Sequence, residues 1–210
     1  MRLSVNKSGF GLMVGLAALA AVPALADDSR PALWTGAYIG LNAGFGTSNF
    51  NVPAGNTSFN TSGALGGVHG GYNWQTGAFV LGVEADYDAA SLGKTTTSNG
   101  VTAKMNVSAL ASVRARAGVA FNRALLFATL GYGWTPASMT FVNPAAGSIS
   151  NTNSGVVFGG GLEYKFTRNF SLRGEVLHYN STGNWNVGAG TSAKLNTPAN
   201  AFRAGASYHF

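Results

Sequence analysis

The residues able to do chemistry are spaced two apart. Glu84, Asp86 and Asp88 share the stretch FVLGVEADYD, Arg114 and Arg116 interrupt the apolar run ALASVRARAGVAF, Glu163 and Lys165 close GVVFGGGLEYKF, and Arg173 and Glu175 share SLRGEV. In a β-strand that spacing puts both members on one face. With Lys104 and Arg203 they supply six basic groups against five acids, with His69 beside them on the polar rows, and two readings follow. The charges neutralise one another as an ion-pair network, or Lys104, Arg114, Arg116 and Arg173 line a narrow polar path with a slight preference for anions.

Other chemistry finds little support. His69 with Glu84 has the look of a base and its orienter, but a satisfied pair explains it better. His69, His178 and His209 fall at different heights of their strands, against a shared metal site or a serine-histidine-acid triad. The glycines at 159–161 lack the following helix that a phosphate loop requires. With no cysteine, thiolate chemistry and disulfides are excluded. The expectation is no enzyme: no catalytic, cofactor-binding or metal-binding residues, and no cofactor.

Strands of a particular kind must hold these side chains. In AYIGLNAGF, Ala37, Ile39, Leu41, Ala43 and Phe45 form one row, while Tyr38, Gly40, Asn42 and Gly44 form the other. From Lys104 to Phe121, one row runs Met105, Val107, Ala109, Ala111, Val113, Ala115, Ala117, Val119 and Phe121. The other holds Lys104, Asn106, Ser108, Leu110, Ser112, Arg114, Arg116 and Gly118. All five acids fall on polar rows. The pattern predicts strands near 35–46, 63–74, 79–88, 102–121, 125–135, 154–166, 170–179 and 199–210. Gln75 to Ala78, Asn122 to Ala124 and Thr167 to Asn169 are tight turns; 47–62, 89–101, 136–153 and 180–198 read as long polar loops, with Phe50, Phe59, Phe141, Ile149 and Trp185 as isolated apolar contacts. An even strand number with short and long connections alternating predicts an all-β fold: an eight-stranded antiparallel up-and-down transmembrane β-barrel with short periplasmic turns and long extracellular loops.

Composition agrees. Charged residues make up 10% of the 210-residue chain, and it contains 30 glycines, against about 25% charged in a typical soluble domain. A soluble, lipocalin-like barrel with its apolar row inside would need many more charges outside. Aromatics cluster where the apolar rows end, as interface girdles do: Tyr72 and Trp74, Phe79 and Tyr87, Tyr132 and Trp134, Phe166 and Phe170. Residues 1–26, with Arg2 and Lys7 before an apolar run ending Ala24-Leu25-Ala26, read as a signal peptide. Residues 27–34 are a periplasmic lead and 35–210 the barrel. Removing the two leader cations from the formal +6 leaves +4, too diffuse for nucleic acid.

The ending RAGASYHF, with Arg203, Gly205, Tyr208 and Phe210, resembles the carboxy-terminal assembly signal of outer-membrane barrels. WTGAYIGLNAGFG, GGVHGGYNW, FVLGVEADYD, LFATLGYGW and GVVFGGGLEYKF resemble the opacity-protein, OmpA-like and porin-like family of Gram-negative outer membranes. The resemblance implies a surface-exposed cell outer-membrane protein whose members rarely have a defined activity. As partners it implies outer-membrane lipid, the barrel-assembly machinery with periplasmic chaperones, and a host or environmental surface ligand. A monomer with an envelope-structural and surface-interaction role is expected, ahead of a narrow porin for small hydrophilic solutes and of an adhesin or haem-binding barrel.

For the lumen charges, setting Phe79 opposite Phe121 puts Glu84 opposite Arg116 and Asp86 opposite Arg114. Closing the turn after Trp74 puts His69 opposite Glu84, and closing the turn between Phe166 and Phe170 puts Glu163 opposite Arg173.

Overall fold

Period-two sequence has one way to satisfy every backbone group without water, which is to close the sheet on itself. In a computed structural model that describes residues 33–52, 57–98, 101–141, 147–186 and 192–210, eight strands do so. They are β1 (Gly36–Val52), β2 (Thr57–Thr76), β3 (Phe79–Ser98), β4 (Val101–Phe121), β5 (Ala124–Phe141), β6 (Gly147–Lys165), β7 (Phe170–Asn186) and β8 (Ser192–His209). Each is antiparallel to its sequence neighbours, and β1 closes on β8 from Tyr38 opposite His209 to Ser48 opposite Ala199. Residues 1–32, which hold the predicted leader and most of the lead, lie outside the described residues.

At one end the connections are tight. Gly77 (φ 58°) turns β2 into β3, and Asn122 (φ 57°) turns β4 into β5; both adopt the left-handed conformation that glycine and asparagine tolerate best. Between β6 and β7, Thr167 Oγ1 accepts from the amides of Asn169 and Phe170. By the rule for such barrels this is the periplasmic end.

The other end departs from expectation. Strands run 17–21 residues, about twice the 9–11 needed to cross a bilayer. Most of what read as long polar loops is strand: the sheet continues beyond the membrane as hairpins, in which Phe50 and Phe59 are register partners, as are Met139 and Ile149. In the described register β2–β3 pairing ends at Ser62 opposite Gly93 and β6–β7 pairing at Ser154 opposite Thr182, while β4–β5 pairing reaches Ala103 opposite Phe141. The projection therefore splits into a β1–β2 hairpin, a four-stranded β3–β6 sheet and a β7–β8 hairpin. Ser, Thr and Asn lack side chains for a core, but adjacent strands still satisfy each other's backbone groups in water.

Burial is inside out for the membrane part. Leu41, Leu81, Leu130 and Phe121 are more than 60% exposed, while Glu84, Arg114, Glu163 and Arg116 are at most 2% exposed. The outward row turns polar at Thr47, Ser62, Ser91, Ser138, Ser154 and His178, which ends the apolar band. The lumen is layered. Trp34, Val80, Ala120, Leu125 and Phe127 pack at the periplasmic mouth, the charges occupy the middle, and Leu65, Leu92, Val107, Leu110, Val157, Leu177 and Tyr179 pack above them.

One strand does not keep a single phase. Val107 pairs with Ala137 but Ala111 with Trp134, so β4 carries an extra residue over 108–110. Below this bulge Ser112, Arg114 and Arg116 face inward. Above it Val107 is buried while Lys104, Asn106 and Ser108 are exposed. A bulge inserts one residue and so reverses the faces of all that follow.

Candidate functional site: a charged cluster across the lumen

Nine charged side chains meet in the barrel interior. Arg114 donates to Glu84 (2.5 Å), Asp86 (3.0 Å) and Glu175 (2.7 Å). Arg173 grips Glu84 with both terminal nitrogens, at 2.5 and 3.1 Å, and reaches Glu175 at 3.1 Å. Arg203 joins Asp86 (2.6 Å), Asp88 (2.5 Å) and Glu175 (2.7 Å). Arg116 donates to Glu163, lies 3.9 Å from Glu84, and stacks on the ring of Phe127 at 3.8 Å. Forked guanidiniums suit this task because each can bind two carboxylates at once.

Half of these pairs join strands that are not neighbours. Arg116 of β4 reaches Glu163 of β6, Arg114 of β4 reaches Glu175 of β7, and Arg173 of β7 and Arg203 of β8 reach Glu84 and Asp88 of β3. The network thus cross-braces the lumen, whose width in an eight-stranded barrel suits side chains meeting at the axis. Hydroxyls complete it: Tyr38 donates to Glu84 (2.7 Å), Ser112 to Asp86 (2.5 Å) and Ser171 to Glu163 (2.5 Å). All three lie on the polar rows, where alternation places them without a charge to distinguish them.

Several expected positions need correction. Glu84 is opposite Arg114 and Asp86 opposite Ser112, with Phe79 opposite Val119 rather than Phe121. Gln75 and Thr76 belong to β2, so the turn is two residues shorter and His69 falls opposite Asp86, not Glu84; its Nε2 lies 2.8 Å from Ser207 Oγ. Glu163 is opposite Arg173 as expected. Lys165 is buried but leaves the carboxylates to others, donating to the carbonyls of Leu33 (2.6 Å) and Arg168 (3.2 Å) beside the Trp34 ring. Lys104 leaves the lumen altogether, because the β4 bulge turns it outward.

The histidines also differ from expectation. His69 and His209 converge on the ring of Tyr38, with centroids 6.4 and 5.4 Å away, while His178 faces outward and bonds Asn200 at 2.7 Å. Ser171 Oγ lies 2.9 Å from His209 Nε2, which is itself 3.1 Å from Glu163. The residue types match a hydrolytic triad; the geometry does not. A triad uses one imidazole nitrogen for the serine and the other for the acid, whereas here Nε2 meets both, in a buried position. A shallow cleft of about 370 Å³ beside the β4 bulge, lined by Ser108, Pro136, Ser138, Ser150, Asn151 and Thr152, carries no charged group.

A closed eight-stranded barrel with an apolar exterior and a charged interior defines an outer-membrane protein. The family model for the outer membrane protein beta-barrel domain matches residues 12–210, and the chain belongs to that family. It is 28% identical to the 31 kDa outer-membrane immunogenic protein of Brucella melitensis biotype 1, over 99% of both chains. It is 34% identical to the 22 kDa outer membrane protein of Rhizobium leguminosarum bv. viciae, over 69% of this chain and 63% of the other. Among solved structures it resembles Neisserial surface protein A at a TM-score of 0.55 and 15% identity, over 84% of this chain and 98% of that one, a likeness of fold. The protein sits in the outer membrane.

Proposed function

We propose that this protein is a non-conducting, non-catalytic barrel that contributes to the envelope and displays its projecting hairpins at the cell surface, residues 1–26 having directed export. The observation that carries the reading is the lumen: an ionic layer that cross-links five strands, closed by an apolar cluster on each side. An ion moving along the axis would have to separate several buried pairs and then cross apolar layers, and breaking one such pair costs about 3–5 kcal/mol. Surface display is supported by the hairpin extensions and by the name of the Brucella relative, an immunogenic protein.

The test is the conductance of refolded protein in a planar bilayer, with a heat-dependent gel shift to establish that the barrel is closed. A silent bilayer is expected. Reproducible steps that change on replacing Arg114 or Arg116 would overturn this reading in favour of a narrow pore.

A further inference from the structure

Every acidic side chain among the described residues lies in the lumen network, so the charged side chains on the described surface are cations. At the periplasmic end these are Arg123 and Arg168, both exposed. They occupy neighbouring turns that are bonded together. The Lys165 amide donates to the Arg123 carbonyl at 2.8 Å, and Arg123 Nη1 donates to the Phe166 carbonyl at 3.2 Å. Lys165 Nζ holds the Arg168 carbonyl, and Thr167 braces the turn around it.

The guanidiniums themselves are almost unspent. Among the described residues, that of Arg168 has no hydrogen bond or ion pair, and that of Arg123 has only the bond to Phe166. Exposed Phe121, Tyr164, Phe166 and Phe170 stand beside them on the outward face, and such aromatics mark headgroup depth. Two forks with most of their donors unspent at that depth, and with no competing acidic side chain among the described residues, fit phosphate oxygens.

We propose that Arg123 and Arg168 form a binding site for the phosphate headgroup of an anionic phospholipid in the periplasmic leaflet. The site ties the barrel to its membrane at one corner, where β4–β5 and β6–β7 turns meet. The lumen network and the display function do not depend on it.

Native mass spectrometry of the refolded barrel in detergent, titrated with phosphatidylglycerol or phosphatidylcholine, tests the assignment. Phosphatidylglycerol should bind more tightly, and its apparent Kd should rise roughly fivefold in R123Q or R168Q and about 25-fold in the double variant, the gain expected for basic side chains near anionic headgroups. K104Q, at the opposite end, should leave it unchanged, and the gel shift reports that each variant is folded. Equal affinity for the two lipids, or a double variant that binds phosphatidylglycerol as the wild type does, would overturn the site. Displacement of the lipid by an equal concentration of inorganic phosphate would make it a free-anion site and overturn the lipid assignment.

Discussion

Replacing Glu84 with glutamine probes the centre of the lumen network. Its carboxylate receives three guanidinium contacts at 2.5–3.1 Å from Arg114 and Arg173 and a phenol contact from Tyr38 at 2.7 Å, with Arg116 at 3.9 Å. The amide keeps the shape but removes the charge and one acceptor, leaving Arg173 with Glu175 as its one remaining carboxylate partner among the described residues. Breaking a buried pair by removing one partner costs about 3–5 kcal/mol, which puts Glu84→Gln at about 4 kcal/mol. That lowers the folded-to-unfolded ratio by about three decades. The assay is urea unfolding of the barrel in lipid vesicles, followed by tryptophan fluorescence and by the gel shift. A cycle with Arg173→Met isolates the pair: the double variant should be less destabilised than the sum of the singles, by about 0.5–3 kcal/mol. A loss below about 1 kcal/mol for Glu84→Gln, or strictly additive singles, would refute the view that these charges hold the lumen together.

Trp34 is buried in the periplasmic mouth, its indole donating to the Asn122 carbonyl at 3.3 Å and meeting His209 edge-on at 5.7 Å. Trp34→Ala should therefore destabilise the barrel by about 3–5 kcal/mol, measured by the same unfolding assay, yet leave the bilayer silent because the ionic layer lies above it. Single cysteines introduced along β4 of this cysteine-free chain read out the bulge. Positions 104, 106 and 108 should react with an aqueous maleimide, whereas 112 and 114 should not; protection at 106 with reaction at 107 would mean that the strand keeps one phase throughout.

Strand number, the closed antiparallel order and the inward acids were legible because they rest on local alternation, and a charge on the lipid face is too costly to tolerate: about 2–4 kcal/mol for Arg or Lys at the midplane. That penalty alone assigns Arg114 and Arg173 to the interior, and the alternation puts Glu84 and Glu163 on the same inward rows. The register was less accessible. Whether Gln75 and Thr76 are turn or strand is a small local preference, yet it moves His69 from Glu84 to Asp86. The extended hairpins were hidden because Ser, Thr and Asn suit both hydrated loops and the solvent face of a strand.

By itself the sequence determined which rows meet lipid and which charges must be neutralised, since both follow from the period of two and the cost of an unpaired charge in hydrocarbon. Only the tertiary structure decided the partners. Cross-lumen pairs such as Arg116 with Glu163 and Arg203 with Asp88 join strands distant along the sheet, and no neighbour register encodes them. It also decided the fate of Lys104. The apolar row from Met105 to Phe121 is unbroken in the sequence, but the one residue that β4 carries in excess of β5 divides it between two faces of the sheet, because a strand with period two reverses its faces at a bulge.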